Sequence, residues 1–297
     1  MSNLIQQRHS ICSFTSSDSW AILSPIEQNI KRKIEAVGTP LENWDIQINY
    51  GIKTGCNEAF IISTQEREDI LSNCKDREER LRTAELIRPI LRGRDINRYG
   101  YNWANLWLIN THNGIRGRLE RIHIEDYPAI KAHLDQYWNR ISKRADKGDT
   151  PYNLRNCAYL DNFSLPKIIW KRIGSILRFS YDNTGYLGLD STCFATGEYI
   201  EYLCCVLNSL MGHYLLKDSP KTGTGDLLVS VQAIEPVRVP YYAKYDSKLS
   251  NLLDRQITNC TIGVEKEIND IVFSMYGLSP NEQEYVTLYV KQSQQSQ

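Results

Sequence analysis

Residues 167–216 constrain the fold of this chain more than any other part of its sequence. Two short apolar runs, 167–171 and 176–181, precede Asp-Asn-Thr-Gly at 182–185, a composition typical of a turn, so this region predicts a β meander. Residues 199–216 are strongly apolar, which predicts a helix buried in the core. The sequence therefore favours a fold in which a small sheet packs against a helix.

Further helices and short strands are predicted on both sides of this region. Ser24 and Pro25 are typical of a helix start, and Gly38 of its end. Apolar spacing predicts strands at 41–50, 59–62 and 107–110 and two within 227–239, and helices at 64–74, 80–91, 128–144, 246–276 and from 280 onward. These elements predict an α+β fold with three parts: a leader and first helix (1–40), a mixed-sheet domain (41–242) and C-terminal amphipathic helices (243–297).

Charge is distributed unevenly along the chain. Lys plus Arg and Asp plus Glu each number 35, so the formal net charge is zero. Between Arg80 and Arg178, however, 19 basic and 9 acidic residues leave a net charge of +10, and the rest, with 16 basic and 26 acidic residues, carries −10. Such a segment is typical of a surface that meets a polyanion, although a solvated basic face without a partner has the same signature.

Two clusters hold much of this positive charge. One places four arginines within eleven residues, Arg88, Arg92, Arg94 and Arg98, and the other consists of Lys167, Lys171, Arg172 and Arg178. Arginine grips phosphate bidentately and reads guanine in the major groove of DNA, and a strand through 167–171 would project both lysines on one face. Both clusters are therefore candidate DNA contacts, and Asp95 is expected to orient a neighbouring arginine.

Patterns for catalysis are weak by comparison. Lys221 and Thr222 begin a Lys-Thr-Gly-Thr-Gly segment with the residues of a Walker loop in the wrong order, which leaves open a backbone contact to phosphate. Residues 149–152 lack the first proline of the amino-methyltransferase loop. Asp-Ser-Lys at 246–248 lies where aspartate is expected as a helix cap. The eight cysteines include no Cys-x-x-Cys pair, so no metal site is predicted, and the chain alone is expected to catalyse nothing.

The sequence carries no pattern that directs it to a membrane. It contains no run of about 18 apolar residues, and its polar N-terminal segment lacks the apolar region of a secretory signal. A chain of this length needs no disulfides to fold, so its scattered cysteines favour a reducing cytoplasm.

An ordered set of short motifs extends from about residue 40 to the end of the chain. They are Gly51-Ile52-Lys53-Thr54-Gly55 with residues 57–62, then 88–96, 166–170, Leu207-Asn208-Ser209, 231–240 and 270–278. This set resembles the TaqI-like C-terminal specificity domain of type IIG and Eco57I-like restriction–modification methyltransferases.

The resemblance implies a target-recognition domain that docks on double-stranded DNA and reads a short sequence. It also implies a bacterial, cytoplasmic parent whose separate catalytic domain, in cis or in trans, binds S-adenosylmethionine and methylates adenine, with Mg²⁺ where a nuclease domain is fused. No cofactor is expected in this chain itself. The predicted DNA contacts are Lys53, Thr54, Arg92, Arg94, Arg98, Lys167, Lys171, Arg172, Arg178, Lys221 and Thr222.

Other functions remain as alternatives. The chain is expected to be a piece of a longer enzyme, with a stand-alone specificity subunit as the other possibility. A protein-interaction subunit whose basic patch meets an acidic partner is a second alternative. An enzyme is the third, as a nuclease that uses Asp246 and Lys248 or as a decayed methyltransferase that uses Asp149.

Overall fold

The computed structural model of the chain describes residues 23–295, so residues 1–22 of the predicted leader lie outside the described residues. The helices are α1 (Pro25–Val37), α2 (Asn57–Phe60), α3 (Thr64–Ser72), α4 (Arg77–Leu86), α5 (Pro128–Asp135), α6 (Trp138–Ile141), α7 (Ile200–Asn208), α8 (Leu210–Leu215), α9 (Val231–Ile234), α10 (Ala243–Thr258), α11 (Ile262–Met275) and α12 (Pro280–Gln295). The strands are β1 (Thr39–Pro40), β2 (Ile46–Tyr50), β3 (Ile61–Ser63), β4 (Ile87–Leu91), β5 (Leu106–Ile109), β6 (Lys167–Lys171), β7 (Ile173–Gly174), β8 (Phe179–Asp182), β9 (Leu187–Gly188), β10 (Thr192–Gly197), β11 (Leu227–Leu228) and β12 (Arg238–Val239).

The central sheet is antiparallel throughout, with the strand order β2-β10-β6-β8. Its register places Trp170 of β6 opposite Cys193 of β10 on one side and Phe179 of β8 on the other. Successive side chains of a strand point to opposite faces, and Ile168 and Trp170 enter one hydrophobic core while Ile169 enters another. Both faces of this sheet are therefore covered, and the predicted meander through β6 and β8 is confirmed.

A second sheet has the order β3-β5-β4-β9, in which β4 and β9 are parallel and the other pairs antiparallel. Two further ribbons pair β1 with β12 and β7 with β11. The second sheet and α3 to α6 form the core on one side of the central sheet. Helices α1, α7, α8 and α10 to α12 form the core on the other side, so the predicted α+β fold with mixed sheets and C-terminal helices is confirmed.

Capping residues account for several helix boundaries. Ser24 caps α1 through a capping box with Glu27, Pro25 opens the helix and Gly38 ends it, as predicted. The predicted apolar helix at 199–216 is confirmed as a buried element, but it is two helices. Ser209 interrupts it because its backbone is extended and its hydroxyl caps the Gly212 N–H.

Several predicted boundaries differ from the structure. The predicted helix 80–91 ends at Leu86 and continues as strand β4, because Pro89 cannot occupy a helix interior. The predicted strand 59–62 is a helical turn followed by β3, and only the last five residues of the predicted strand 41–50 are extended. The predicted helix 128–144 is two short helices, α5 and α6.

A buried ion pair joins β6 to β8. The Lys167 ammonium donates to Asp182 Oδ2 at 2.5 Å and to the Phe163 carbonyl at 2.7 Å, and both charged side chains are 0% exposed. Burial alone would raise the pKa of the Asp182 carboxyl, but the Lys167 charge and hydrogen bonds from Thr184 more than offset burial and lower that pKa. Because a depressed carboxyl pKa stabilises the fold above the unfolded pKa, this contribution is lost as the pH falls through the folded pKa.

We expect Lys167→Met to destabilise the chain by about 3–5 kcal/mol, because it leaves the buried Asp182 carboxylate without a counter-charge. Urea unfolding at neutral pH measures the loss. The matched control, Lys131→Met, removes the exposed partner of Asp135 and should have a much smaller effect. Equal losses in the two variants would contradict the account of the buried pair.

Candidate nucleic-acid interface

Several of the predicted basic segments meet at one end of the central sheet. Lys171 ends β6, and the register that places Trp170 opposite Phe179 brings Arg178 beside it. On the other side Lys171 lies opposite Thr192, the first residue of β10. Because both faces of the sheet are buried, the strand ends are where its polar side chains reach solvent. The second predicted cluster therefore forms a surface at this end, with the exception of Lys167.

The loop after β4 brings the first cluster to the same end. Gly93 N–H donates to Ser191 Oγ at 3.0 Å, and a Cβ on Gly93 would lie 2.9 Å from Lys171 Cγ and 3.0 Å from the Ser191 carbonyl oxygen. The absence of a side chain at Gly93 thus lets this loop approach β6 closely. Arg94, the next residue, is exposed and lines one open groove with Lys171.

Arg92 lies beside Arg94 but is held by Asp95. Its Nε and Nη2 donate to the two Asp95 carboxylate oxygens at 3.0 and 2.8 Å, and Asp95 is only 4% exposed. The Asp95 hydrogen bonds are the largest influence on the Arg92 guanidinium and raise its pKa. The prediction that Asp95 orients a neighbouring arginine is confirmed, and Arg92 presents less of its charge to a ligand than Arg94 does.

The hairpin at 221–228 extends this surface. β11 pairs with β7, and the Val229 N–H donates to the Arg172 carbonyl at 2.8 Å, so the hairpin lies against the turn after β6. Lys221 is exposed, whereas the hydroxyls of Thr222 and Thr224 lie 2.8 Å apart in a turn closed by a backbone hydrogen bond to Asp226. Lys221 therefore joins the basic surface, and Thr222 belongs to the turn that supports it.

Five cations of this region have no partner within the described part of the chain. Their side chains make no ion pair and no hydrogen bond with residues 23–295, and we call them the basic edge: Arg94, Lys171, Arg172, Arg178 and Lys221. Elsewhere in the basic segment, by contrast, arginines commonly pair with carboxylates, as Arg118 does with Asp161 and Arg140 with Glu58. The basic edge thus combines unneutralised positive charge with a rigid support.

The Gly51–Gly55 turn supports this end instead of presenting donors to a ligand. A Cβ on Gly51 would lie 1.9 Å from the Leu189 carbonyl oxygen, so only glycine permits the contact. Thr54 is 1% exposed, its hydroxyl donates to Asn57 and its carbonyl accepts from the buried Arg144 guanidinium. The predicted DNA contact of Thr54 must therefore be corrected, because its donor is buried and used.

Lys53, the remaining predicted residue of this turn, is half exposed. Its ammonium pairs with Asp146 Oδ2 at 2.8 Å, and an exposed pair of this kind costs little to open. Lys53 therefore keeps its charge available near the surface, although it is not one of the unpaired cations.

Two other predicted contacts face the protein interior. Lys167 is on the predicted strand face but is covered by the second core and neutralised by Asp182, so its assignment as a DNA contact must be corrected. Arg98 pairs with Glu265 at 2.5 Å and donates to the Asn208 carbonyl at 2.6 Å, so its charge holds the C-terminal helices. Local strand alternation and clustering could not reveal these partners, which are distant in sequence.

Four polar residues of the groove were not predicted as contacts from the sequence, and one of them, Glu58, pairs with Arg140. Asn57, Asp190 and Ser191 line it together with Arg94 and Lys171. Asp190 and Ser191 occupy the tight turn between β9 and β10, which is closed by a hydrogen bond from Thr192 N–H to the Leu189 carbonyl at 2.8 Å. Their only sequence signal is a turn composition, which is common in loops.

The opposite end of the central sheet has the opposite charge. Glu42, Asp45 and Glu198 are exposed there and form no ion pair with residues 23–295. Asp45 precedes β2, whose first residue, Ile46, lies opposite Gly197 at the end of β10, so this acidic end is one sheet length from the basic edge. A polyanion is therefore attracted to one end of the sheet and repelled from the other.

The residues of the alternative functions lie away from the basic edge. Asp246 is in the first turn of α10, but the predicted cap must be corrected because Tyr242 occupies the N-cap position, and Lys248 pairs with Glu267 at 2.9 Å. Asp149 accepts a hydrogen bond from Asn113 Nδ2 at 3.0 Å. Among the described residues, no helix is long and apolar enough to cross a membrane.

Comparison with known proteins confirms the predicted resemblance over part of the chain. Residues 88–229 match the sequence model of the TaqI-like C-terminal specificity domain. The matched segment includes Arg94, Lys171, Arg172, Arg178 and Lys221. No curated protein matches the chain.

A solved structure shares the fold at low sequence identity. The type IIL restriction–modification enzyme MmeI, whose structure was solved in complex with DNA, aligns over 88% of this chain with a TM-score of 0.61 and 11% identity. The chain spans 36% of the length of that enzyme. The type IIG restriction endonuclease BpuSI aligns over 92% of this chain and 33% of its own, with a TM-score of 0.47 and 12% identity.

Gly93→Ala should destabilise the chain by about 1–3 kcal/mol, because the added methyl group would press on Lys171 and the Ser191 carbonyl. Chemical unfolding followed by circular dichroism measures the change. Gly223→Ala is the matched control, since a Cβ there meets nothing within 4 Å. Similar stability of the two variants would show that the close approach of the loop to β6 is not required.

Proposed function

We propose that this chain is the DNA target-recognition part of a restriction–modification methyltransferase and that the basic edge binds double-stranded DNA. The basic edge is the observation that carries the proposal, because five cations without acidic partners gather at one end of a rigid sheet. The match of residues 88–229 to a specificity domain supports the same function. MmeI, which shares the fold, was crystallised with DNA.

The physical basis of binding is the exchange of counterions. Each Lys or Arg that neutralises a phosphate releases a condensed counterion from DNA, which gives affinity and makes it fall steeply with salt. Cations that are already paired with carboxylates contribute less binding free energy, because a contact with phosphate must replace the existing ion pair. The unpaired residues Arg94, Lys171, Arg172, Arg178 and Lys221 are therefore the proposed phosphate contacts, with Lys53 and Arg92 in support.

Rigidity of the basic edge favours sequence reading. Phosphate contacts fix the orientation of a protein on the duplex, and side chains at base edges then select the sequence. Lys171 and Arg178 are adjacent on paired strands, and Gly93 packs the Arg94 loop directly on β6. A support of this kind holds the polar side chains of the groove at fixed positions relative to the phosphates.

The chemistry of the parent enzyme is proposed to reside in another domain. The central sheet is antiparallel, so it lacks the crevice at the carboxyl ends of parallel strands in which a methyl donor binds in Rossmann-like domains. We propose that a separate catalytic domain, in cis or in trans, binds S-adenosylmethionine and methylates adenine in the cytoplasm. This chain then holds the duplex while the catalytic domain extrudes the target base.

Replacing Lys171 and Lys221 by Ala together should weaken binding to a mixed-sequence duplex and make it less dependent on salt. Loss of two phosphate contacts should reduce the slope of log affinity against log salt by about 2 in magnitude. Fluorescence anisotropy at several salt concentrations measures both quantities.

The matched control replaces Lys266 and Lys291, two exposed lysines of the C-terminal helices that form no ion pair with the described residues. This pair removes the same charge and should leave the slope nearly unchanged. An equal loss in both double variants would show that net charge, not the basic edge, determines binding. No binding by the unmodified chain at low salt would contradict the proposed function itself.

A further inference from the structure

Two carboxylates line the groove: Glu58 pairs with Arg140, whereas Asp190 pairs with no cation of residues 23–295. Asp190 lines the same groove as Arg94 and Lys171, and it is partly exposed. Its carboxylate makes no ion pair and no hydrogen bond with residues 23–295. A carboxylate at this position is unfavourable for phosphate binding, because it repels the backbone that the neighbouring cations attract.

The fold does not account for this aspartate. Aspartate is common in turns because its side chain bonds to the backbone two residues on, but the Asp190 carboxylate makes no such bond. The turn is closed without it, by the Thr192 N–H and the Thr192 hydroxyl, both of which donate to the Leu189 carbonyl. The Asp190 N–H donates to the Ile52 carbonyl at 2.9 Å, so the backbone is fixed while the side chain is free.

The neighbours of Asp190 hold its turn at the basic edge. Ser191 Oγ accepts the Gly93 N–H at 3.0 Å, so the two residues are anchored to the loop that carries Arg94. Asp190 lines the same groove as Arg94 and Lys171, so a duplex whose phosphates these two cations bind would pass close to its carboxylate. A carboxylate only accepts hydrogen bonds, and the exocyclic amino groups of cytosine and adenine are the donors that the major groove offers.

We infer that Asp190 is a specificity-determining residue that accepts a hydrogen bond from an exocyclic amino group, the N4 of cytosine or the N6 of adenine, in the major groove. The inference rests on the proposed function, since it requires DNA at the basic edge. Every base pair carries one such amino group, so the inference requires it to lie on the strand that the turn between β9 and β10 contacts, where Asp190 distinguishes a base from its complement. Bases with a carbonyl acceptor in that place, guanine or thymine, are rejected because two acceptors would face each other.

The test is selection of bound sequences from a random duplex pool by the full chain and by Asp190→Ala, which removes the acceptor that asparagine would retain. The unmodified chain should select a consensus that includes a cytosine or adenine read by Asp190. The variant should lose about tenfold discrimination or more at that one position and keep the others, because a single base contact contributes about that much. Its overall affinity should not fall, since a charge that repels phosphate has been removed.

Duplexes with single analogues at the affected position then distinguish the two amino groups. Purine in place of adenine removes N6, and 5-methyl-2-pyrimidinone in place of cytosine removes N4, so only one of the two substitutions should abolish discrimination by the unmodified chain. Asp45→Ala is the matched control, because Asp45 is an exposed aspartate without an ion pair to residues 23–295 at the opposite end of the central sheet. It should leave the consensus unchanged.

Two outcomes overturn the inference and are distinguishable. An unchanged consensus in Asp190→Ala, with sequence-selective binding by the unmodified chain, removes Asp190 from base reading and leaves the proposed function intact. Binding without any consensus, or no binding, by the unmodified chain overturns both. Discrimination by the unmodified chain that survives removal of the N6 or N4 amino group at the affected base pair would also contradict the inference.

Discussion

The burial of both faces of the central sheet is the constraint on which the rest of the structure depends. Ile168 and Trp170 pack on one side of β6 and Ile169 on the other, so functional side chains of these strands reach solvent mainly at the strand ends. The strand ends are also where the loops of the second sheet and the β7–β11 ribbon converge. Because both faces are buried, the polar side chains form a narrow surface at the strand ends, where the packed strands hold them in place. Specific binding sites need side chains that are held in this way.

Charges of opposite sign lie at opposite ends of this sheet, so a chain with no formal net charge has one positive end and one negative end. Cations without partners gather at the end formed by Lys171 and Arg178, and unpaired acids such as Asp45 and Glu198 lie at the other. The pairing of most remaining arginines with carboxylates or carbonyls limits competing contacts elsewhere. A polyanion is therefore attracted to the basic edge and repelled by the acidic end of the same sheet.

The sequence predicted many helices and strands and part of the site, because the interactions that form them join residues close together in the chain. Strand β6, the Ser24 cap and the Arg92–Asp95 pair involve residues a few positions apart. Lys167 was misassigned because alternation along a strand gives the face of a side chain but not what covers that face. Its partner, Asp182, is brought opposite by the register of β8, and Asp190 gives no local signal that separates it from ordinary turn residues.

Hydrogen–deuterium exchange of the full chain with and without a mixed-sequence DNA duplex at low salt tests the central claim most directly. The account predicts that DNA slows exchange at residues 171–178 and 221–228 and in the loop at 92–94, while residues 42–46 and 198–199 at the acidic end stay unchanged. Slower exchange at the acidic end, or none at the basic edge under conditions in which the duplex is bound, would contradict it.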